Sequence, residues 1–212
     1  MQKDYLGSKA RGKTFAYRVN DSIYLNITNR CTNDCTFCLR NNGDTAYGSN
    51  SLWLKREPSP IEVLTQVEEL FFPECNGFVF CGYGEPTERL DPLIAVAKRV
   101  KAKYPELSIR VNTNGLSDLI NGRDTARDFE GLFDVVSISL NTSDPKIYKE
   151  MCRPKFGGGS HMAIIDFALN VKNYVPRVVL SVVDTTITPE DIEMCRGLAE
   201  DIGVEFRLRE FI

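Results

Sequence analysis

Apolar residues along the chain follow two alternating rhythms. Short runs rich in β-branched and aromatic residues stand at 22–28 (SIYLNIT), 77–81 (GFVFC), 107–112 (LSIRVN), 134–140 (DVVSISL), 177–183 (RVVLSVV) and 204–211 (VEFRLREF). Runs of this kind predict strands. Between them, apolar positions recur at three- and four-residue spacing over 60–72, 91–103, 117–130, 144–150 with 160–174, and 189–201. That spacing predicts helices with one buried stripe. Ser59-Pro60, Asp91-Pro92 and Thr188-Pro189 put an N-capping side chain before a proline suited to the first helical turn.

Six strands interleaved with helical units imply βαβ crossovers, a parallel sheet and right-handed connections. Six units are too few for a closed eight-stranded barrel. They fit a curved, partly open barrel or a doubly wound sheet, and both collect chemistry at the carboxyl ends of strands. Residues 1–20 read as an N-terminal extension and residues 21–212 as one domain.

Composition narrows the class. A chain of 212 residues buries its own core without staples. No apolar run reaches the ~18 residues of a membrane span. The start, MQKDYLGSKARGK, lacks the apolar stretch of a secretory signal, which makes the cytoplasm the expected compartment. A formal charge of −3 argues against a protein that coats nucleic acid.

Seven cysteines without an export signal are expected as thiols. Cys31, Cys35 and Cys38 fall within eight residues, just after the first predicted strand, whereas Cys75, Cys81, Cys152 and Cys195 are scattered. Three clustered thiolates suit zinc, Cu(I) or an iron–sulfur cluster. Zinc wants four ligands, and the sole histidine, His161, is remote in sequence. A fourth thiol from Cys81 or Cys75 would complete a four-cysteine zinc or electron-transfer module, while three on a four-iron cluster leave one iron open.

Other strand ends also carry chemistry. CGYGEPT stands at 81–87 and NTNG at 112–115. Strand alternation turns Ser137, Ser139 and Asn141 to one face, a polar row that would need partners if buried. Asp184 ends the 177–183 run, where it could meet a ligand or cap its own loop. Glu205, Arg207 and Arg209 share a face of the last strand; arginines turned inward suit a carboxylate or phosphate. The stretch MCRPKFGGGS at 151–160, with cationic Arg153 and Lys155 and three consecutive glycines, reads as a mobile lid.

CTNDCTFC at 31–38 resembles the C-x3-C-x-aromatic-C loop of the radical S-adenosylmethionine (SAM) superfamily. CGYGEPT is similar to that family's Gly-Gly-Glu-Pro element, with Tyr83 replacing or inserted beside a glycine. The resemblance implies a partial (βα)6 TIM-type barrel of parallel strands. It implies a [4Fe–4S] cluster on Cys31, Cys35 and Cys38, whose open iron is chelated by SAM and which cleaves SAM to a 5′-deoxyadenosyl radical that abstracts hydrogen. Gly82, Tyr83, Gly84 and Glu85 would position the methionyl group, with Asn112 and Asn114 beside it. Phe37 would pack near adenine, and Ser139, Asn141 and Asp184 would hold the SAM carboxylate or ribose. Arg153, Lys155, Arg207 and Arg209 are left as candidates for a small anionic substrate.

GYGEPT, NTNG, SISLN and RLREFI together are most similar to the small TatD-associated members. The layout more distantly resembles glycyl-radical activating enzymes and 7-carboxy-7-deazaguanine synthases. No second cysteine triplet is present, so no auxiliary cluster is expected. Implied partners are a small molecule and an electron donor of flavodoxin or ferredoxin type, with no membrane and no nucleic acid. Two rival expectations are an activase acting on a partner protein's glycine and a non-catalytic four-cysteine module.

Overall fold

The computed structural model describes residues 12–210. Seven strands form one sheet in the order of the chain: β1 (Ala16–Val19), β2 (Ser22–Leu25), β3 (Gly77–Phe80), β4 (Ser108–Thr113), β5 (Val135–Ser139), β6 (Arg177–Val183) and β7 (Glu205–Arg209). β1 and β2 form an antiparallel hairpin, and every later pairing is parallel. Among the described residues no pairing joins β7 to β1, so the sheet is an open, partial barrel. Helices α1 (Pro60–Leu70), α2 (Leu90–Lys103), α3 (Ser117–Asn121), α4 (Pro145–Cys152), α5 (Ser160–Val171) and α6 (Pro189–Asp201) make the crossovers.

Residues 1–11 of the expected extension lie outside the described residues. β1 occupies 16–19 of that segment and was not foreseen. Its signal is the Asn20-Asp21 pair between two apolar runs, with Asn20 at φ 51° turning the chain. The helix foreseen over 117–130 is shorter. α3 ends at Gly122, which takes the left-handed conformation (φ 65°), and a 3-10 turn follows at Ala126–Phe129. Two of the three expected helix starts hold: Ser59 forms a capping box with Glu62, and Thr188 caps α6. Asp91 instead lies inside α2, which begins at Leu90 after an uncapped Arg89, while Asp144 caps α4 without having been foreseen.

The two faces of the sheet differ. Ile23, Leu25, Phe78, Phe80, Ile109, Val111, Val136, Ile138, Leu180 and Val182 belong to the main core beneath the helices. Their alternates (Tyr24, Val79, Cys81, Arg110, Asn112, Ser137, Ser139, Ser181, Arg207 and Arg209) fall on the opposite face by strand register. That face is concave. Burial raises the Tyr24 pKa, while Arg110 and, from β7, Arg207 pull it back down. In a flat sheet β2 and β7 would be about 24 Å apart, beyond such influence; only a curled sheet brings them together.

Candidate functional site at the carboxyl ends of the strands

The cysteine loop leaves β2 and is held from several sides. The Glu85 N–H donates to Arg30 O (2.8 Å) and seats the GYGEP turn on the start of the loop. Asp34 N–H donates to Cys152 O (3.0 Å), Thr36 N–H to Met151 O (2.9 Å) and Lys155 N–H to Thr32 O (2.8 Å). Asn114 Nδ2 reaches Thr32 Oγ1 at 3.2 Å. From within the loop, the Arg40 guanidinium donates to Asn29 O, Asn33 O and, through Nε at 3.4 Å, to Cys38 Sγ. A loop gripped this way presents its thiols in a defined place.

Burial pushes the Cys31 thiol up to about 12, with the Glu85 charge adding to it. A hydrogen bond with the Cys152 thiol, and then burial, drive Cys35 up as well. Burial works against the charge on Arg40, but Cys38 and then Cys31 and Cys35 outweigh it and raise its pKa. One guanidinium therefore feels all three thiols. Among the described residues no group of three or more His, Cys, Asp or Glu side chains is drawn into the geometry of a metal site. The donors nonetheless fit an iron–sulfur cluster: three soft thiols share one loop, and a cation stands ready to balance their charge as thiolates. Beside them, Asn141 donates through Nδ2 to Cys152 Sγ (3.3 Å), while its buried Oδ1 has no partner.

Glu85 is a buried hub. Oε1 accepts from Thr87 N (3.0 Å), Thr87 Oγ1 (2.8 Å) and Thr113 Oγ1 (2.8 Å), and Oε2 from Asn114 N (2.6 Å). Burial raises its pKa against these four hydrogen bonds. The carboxylate thus ties the end of β3 to the end of β4.

The neighbouring glycines have a packing reason. A Cβ on Gly84 would collide with the backbone carbonyls of Thr28 and Arg30, the latter at 2.7 Å, and one on Gly82 would strike the Asn26 side chain. Their bareness lets the turn press against the protein's own β2 end, a role not foreseen from the motif. Tyr83 is buried, with its hydroxyl donating to Gly43 O or Thr45 O (both 3.0 Å) and its ring edge-on to Trp53. Its side chain is committed to packing.

The remaining expected residues separate into groups. Phe37 packs, half-buried, against the core. Asn112 is hydrogen-bonded to the Cys81 thiol on the concave face. Ser139 Oγ accepts weakly from Arg209 Nη2 at 3.5 Å. Asn141 sits past the end of β5 at φ 67°, where Leu140 and Asn141 both donate to Ser181 O and bulge the chain. Asp184 accepts from Thr185 N (2.8 Å), so its carboxylate caps its own loop. Arg207 and Arg209 face the concavity.

Arg153 and Lys155 are exposed at the rim, and Arg153 lies 4.0 Å from Asp34. The stretch 151–160, expected as a mobile lid, is instead strapped to the cysteine loop by the three backbone bonds above, and its glycines form a 3-10 turn into α5.

Sequence reasoning missed three residues. Arg110 shares its phase on β4 with Asn112, a cue readable in the sequence. Arg40 stands two residues after Cys38 and was equally readable, whereas Cys152 meets the cysteine loop only through the fold. Cys75 lies before β3, at the strand's opposite end from the loop, with its thiol on Gly77 O.

A profile of the Radical SAM superfamily matches residues 25–199. The chain belongs to this superfamily, whose members are enzymes built on a [4Fe–4S] cluster and SAM. The reading as a non-catalytic four-cysteine module is thereby overturned.

Among curated proteins it is similar to GTP 3′,8-cyclase of Limosilactobacillus fermentum, 27% identical over 149 residues, covering 70% of this chain and 41% of that protein. The enzyme of the same name from Lactiplantibacillus plantarum is 25% identical over 166 residues, covering 78% and 46%. The chain spans less than half the length of these relatives. Among solved structures it resembles native anSMEcpe with bound AdoMet (TM-score 0.61, 17% identity, 89% of this chain and 50% of that one). It also resembles HydG, a maturase of the [FeFe]-hydrogenase (TM-score 0.60, 17% identity, 94% and 45%). A third is Streptococcus suis SuiB bound to S-adenosylmethionine (TM-score 0.58, 16% identity, 89% and 38%). These likenesses show the shared fold. No helix among the described residues is long and apolar enough to cross a membrane.

Proposed function

We propose that this chain cleaves SAM reductively and uses the resulting radical on a small anionic substrate held on the concave face. Cys31, Cys35 and Cys38 would hold the cluster, with Arg40 balancing their charge. When bound, the [4Fe–4S] cluster supplies an electron that breaks the sulfonium bond of SAM to give methionine and a 5′-deoxyadenosyl radical, which takes hydrogen from the substrate. The chain's own residues anchor and orient. Glu85 locks the ends of β3 and β4 into one platform. The unpartnered Asn141 Oδ1 is an acceptor suited to the SAM ammonium or ribose. Arg207 and Arg209 attract the substrate's negative charge. A flavodoxin- or ferredoxin-type donor and a reducing, cytoplasmic setting go with this reading. GYGEPT, NTNG, SISLN and RLREFI favour the TatD-associated group within the superfamily.

The observation that carries the proposal is the strapped cysteine loop, whose three thiols share the field of Arg40 at the mouth of a cationic concavity. Anaerobic reconstitution with iron and sulfide, followed by SAM and dithionite, should yield 5′-deoxyadenosine. Cys31→Ala should lose cluster and product together, while Cys75→Ala should keep both. Full iron loading in Cys31→Ala would refute the assignment. A second reading, favoured by the likeness to GTP 3′,8-cyclases, makes a purine nucleoside triphosphate the substrate; GTP should then raise the yield of 5′-deoxyadenosine.

A further inference from the structure

Three guanidiniums on the concave face lack an acidic partner. Arg110 projects from β4, and Arg207 and Arg209 from β7. Among the described residues none of them enters an ion pair. Among the described residues the Arg110 side chain donates only to the Tyr24 hydroxyl (3.1 Å), and that of Arg209 only to Ser139 at 3.5 Å. The Nε atoms of Arg110 and Arg209 are shut away from solvent with no hydrogen-bond partner. A guanidinium offers five donors, so most of this capacity is unspent. Neighbouring acids have other partners: both Glu85 oxygens accept from Thr87, Thr113 and Asn114, Glu205 is paired with Arg177 at 2.8 Å, and Asp184, whose N–H donates to Arg209 O, accepts from Thr185 N.

Like charges are gathered here in a chain whose overall charge is −3. Burial, together with the nearby Arg207 charge, lowers the Arg209 pKa, and Cys81 and Tyr47 only partly offset this. Clustering uncompensated cations costs folding energy. Beside Arg207 the floor is low, with Ser139 and Ser181 in register with it across β5 and β6, and Ser137 pairs with Val179 one step below. The rings of Tyr24 and Tyr47, 6.2 Å apart, flank the cations.

We infer that the concave face binds a substrate group carrying at least two negative charges, a phosphoryl or polycarboxylate oxyanion, with Arg110 as a third arm beside Arg207 and Arg209. This rests on the proposed substrate site and adds both a residue and a charge requirement to it. Short serine side chains leave room above the floor, and bidentate guanidinium–oxyanion pairs fill the empty donor sites.

The test is calorimetric titration of the anaerobically reconstituted, cluster-loaded protein with two probes, inorganic pyrophosphate and tricarballylate. At least one should bind one-to-one. Its affinity should fall about ten- to hundred-fold in Arg110→Met and in Arg209→Met, and stay at the wild-type value in Arg127→Met on the exposed surface. The tighter probe identifies the source, phosphoryl or carboxylate. Arg110→Lys and Arg209→Lys, which keep the charge but lose the fork, should fall between wild type and methionine; they serve as the test if a methionine variant fails to fold by circular dichroism. Absence of binding by both probes, unchanged affinity in the arginine variants, or displacement of the probe by SAM would overturn the inference. Wild-type SAM cleavage without substrate separates the two claims: cleavage with no anion binding sinks this site alone, whereas anion binding with no cleavage sinks the parent reading alone.

Discussion

The two faces of one sheet solve opposite problems. On the helix side, residues such as Ile23, Phe78, Phe80, Val111 and Leu180 are fully buried and fit one continuous core. One position along each strand, the concave side carries Tyr24, Cys81, Arg110, Asn112, Ser139 and Arg209. Both faces are set by the same period of two, so folding energy and ligand capacity are written in alternate letters of the same strands. The helix face satisfies itself, whereas the concave face leaves donors and charge unspent.

The strongest way to break this contrast is to delete matched side chains from the two faces. Phe80 is fully buried and meets Phe133 edge-on at 5.7 Å. Phe80→Ala should cost about 3–5 kcal/mol in denaturant unfolding. Ser139→Ala, on the concave side of β5, should change stability by no more than about 0.5 kcal/mol. Equal losses would mean that the concave face is an ordinary core.

A smaller effect sharpens the boundary between the faces. Glu85 joins the ends of β3 and β4 through four accepted hydrogen bonds. Glu85→Gln replaces an acceptor oxygen with a donor that cannot satisfy both Asn114 N–H and the threonines. It should cost about 1–3 kcal/mol and reduce iron loading, because the GYGEP turn that it anchors also seats the cysteine loop. Wild-type melting together with full loading would count against the hub. Below it in size, Ser59→Ala removes the capping box of α1, whose hydrogen bonds run only between Ser59 and Glu62. It should cost about 1 kcal/mol and leave iron loading untouched.

Much of this was legible in the sequence because the signals were local. The cysteine loop, the strand ends and the Ser59 and Thr188 caps each rest on neighbouring residues. β1 was missed because it is short and follows a polar lead. The helix foreseen over 117–130 failed because Gly122 takes a left-handed turn and Asp118 spends its carboxylate on Thr125. Cys152 reaches Cys35 only because the end of α4 lies along the cysteine loop, which no spacing in the chain reveals. Gly82 and Gly84 have in addition the protein's own Asn26, Thr28 and Arg30 where a Cβ would stand, a packing reason that the motif alone does not reveal.

The least conspicuous effect discriminates best between a site and a core. If Arg209 were an ordinary structural residue, Arg209→Met would lose contacts and destabilise the chain. Its pKa is lowered, however, by burial and by the neighbouring Arg207. A cation whose pKa falls on folding has its charged form disfavoured in the folded state, so at neutral pH that charge works against the fold. Arg209→Met removes the penalty and keeps an apolar stem of similar reach. The substrate-free protein should therefore unfold at equal or higher denaturant concentration, with a gain on the order of 0.5 kcal/mol. Stabilisation alongside weakened anion binding would mark Arg209 as a residue kept for its ligand at the expense of the fold; a clear loss of stability would make it part of the core.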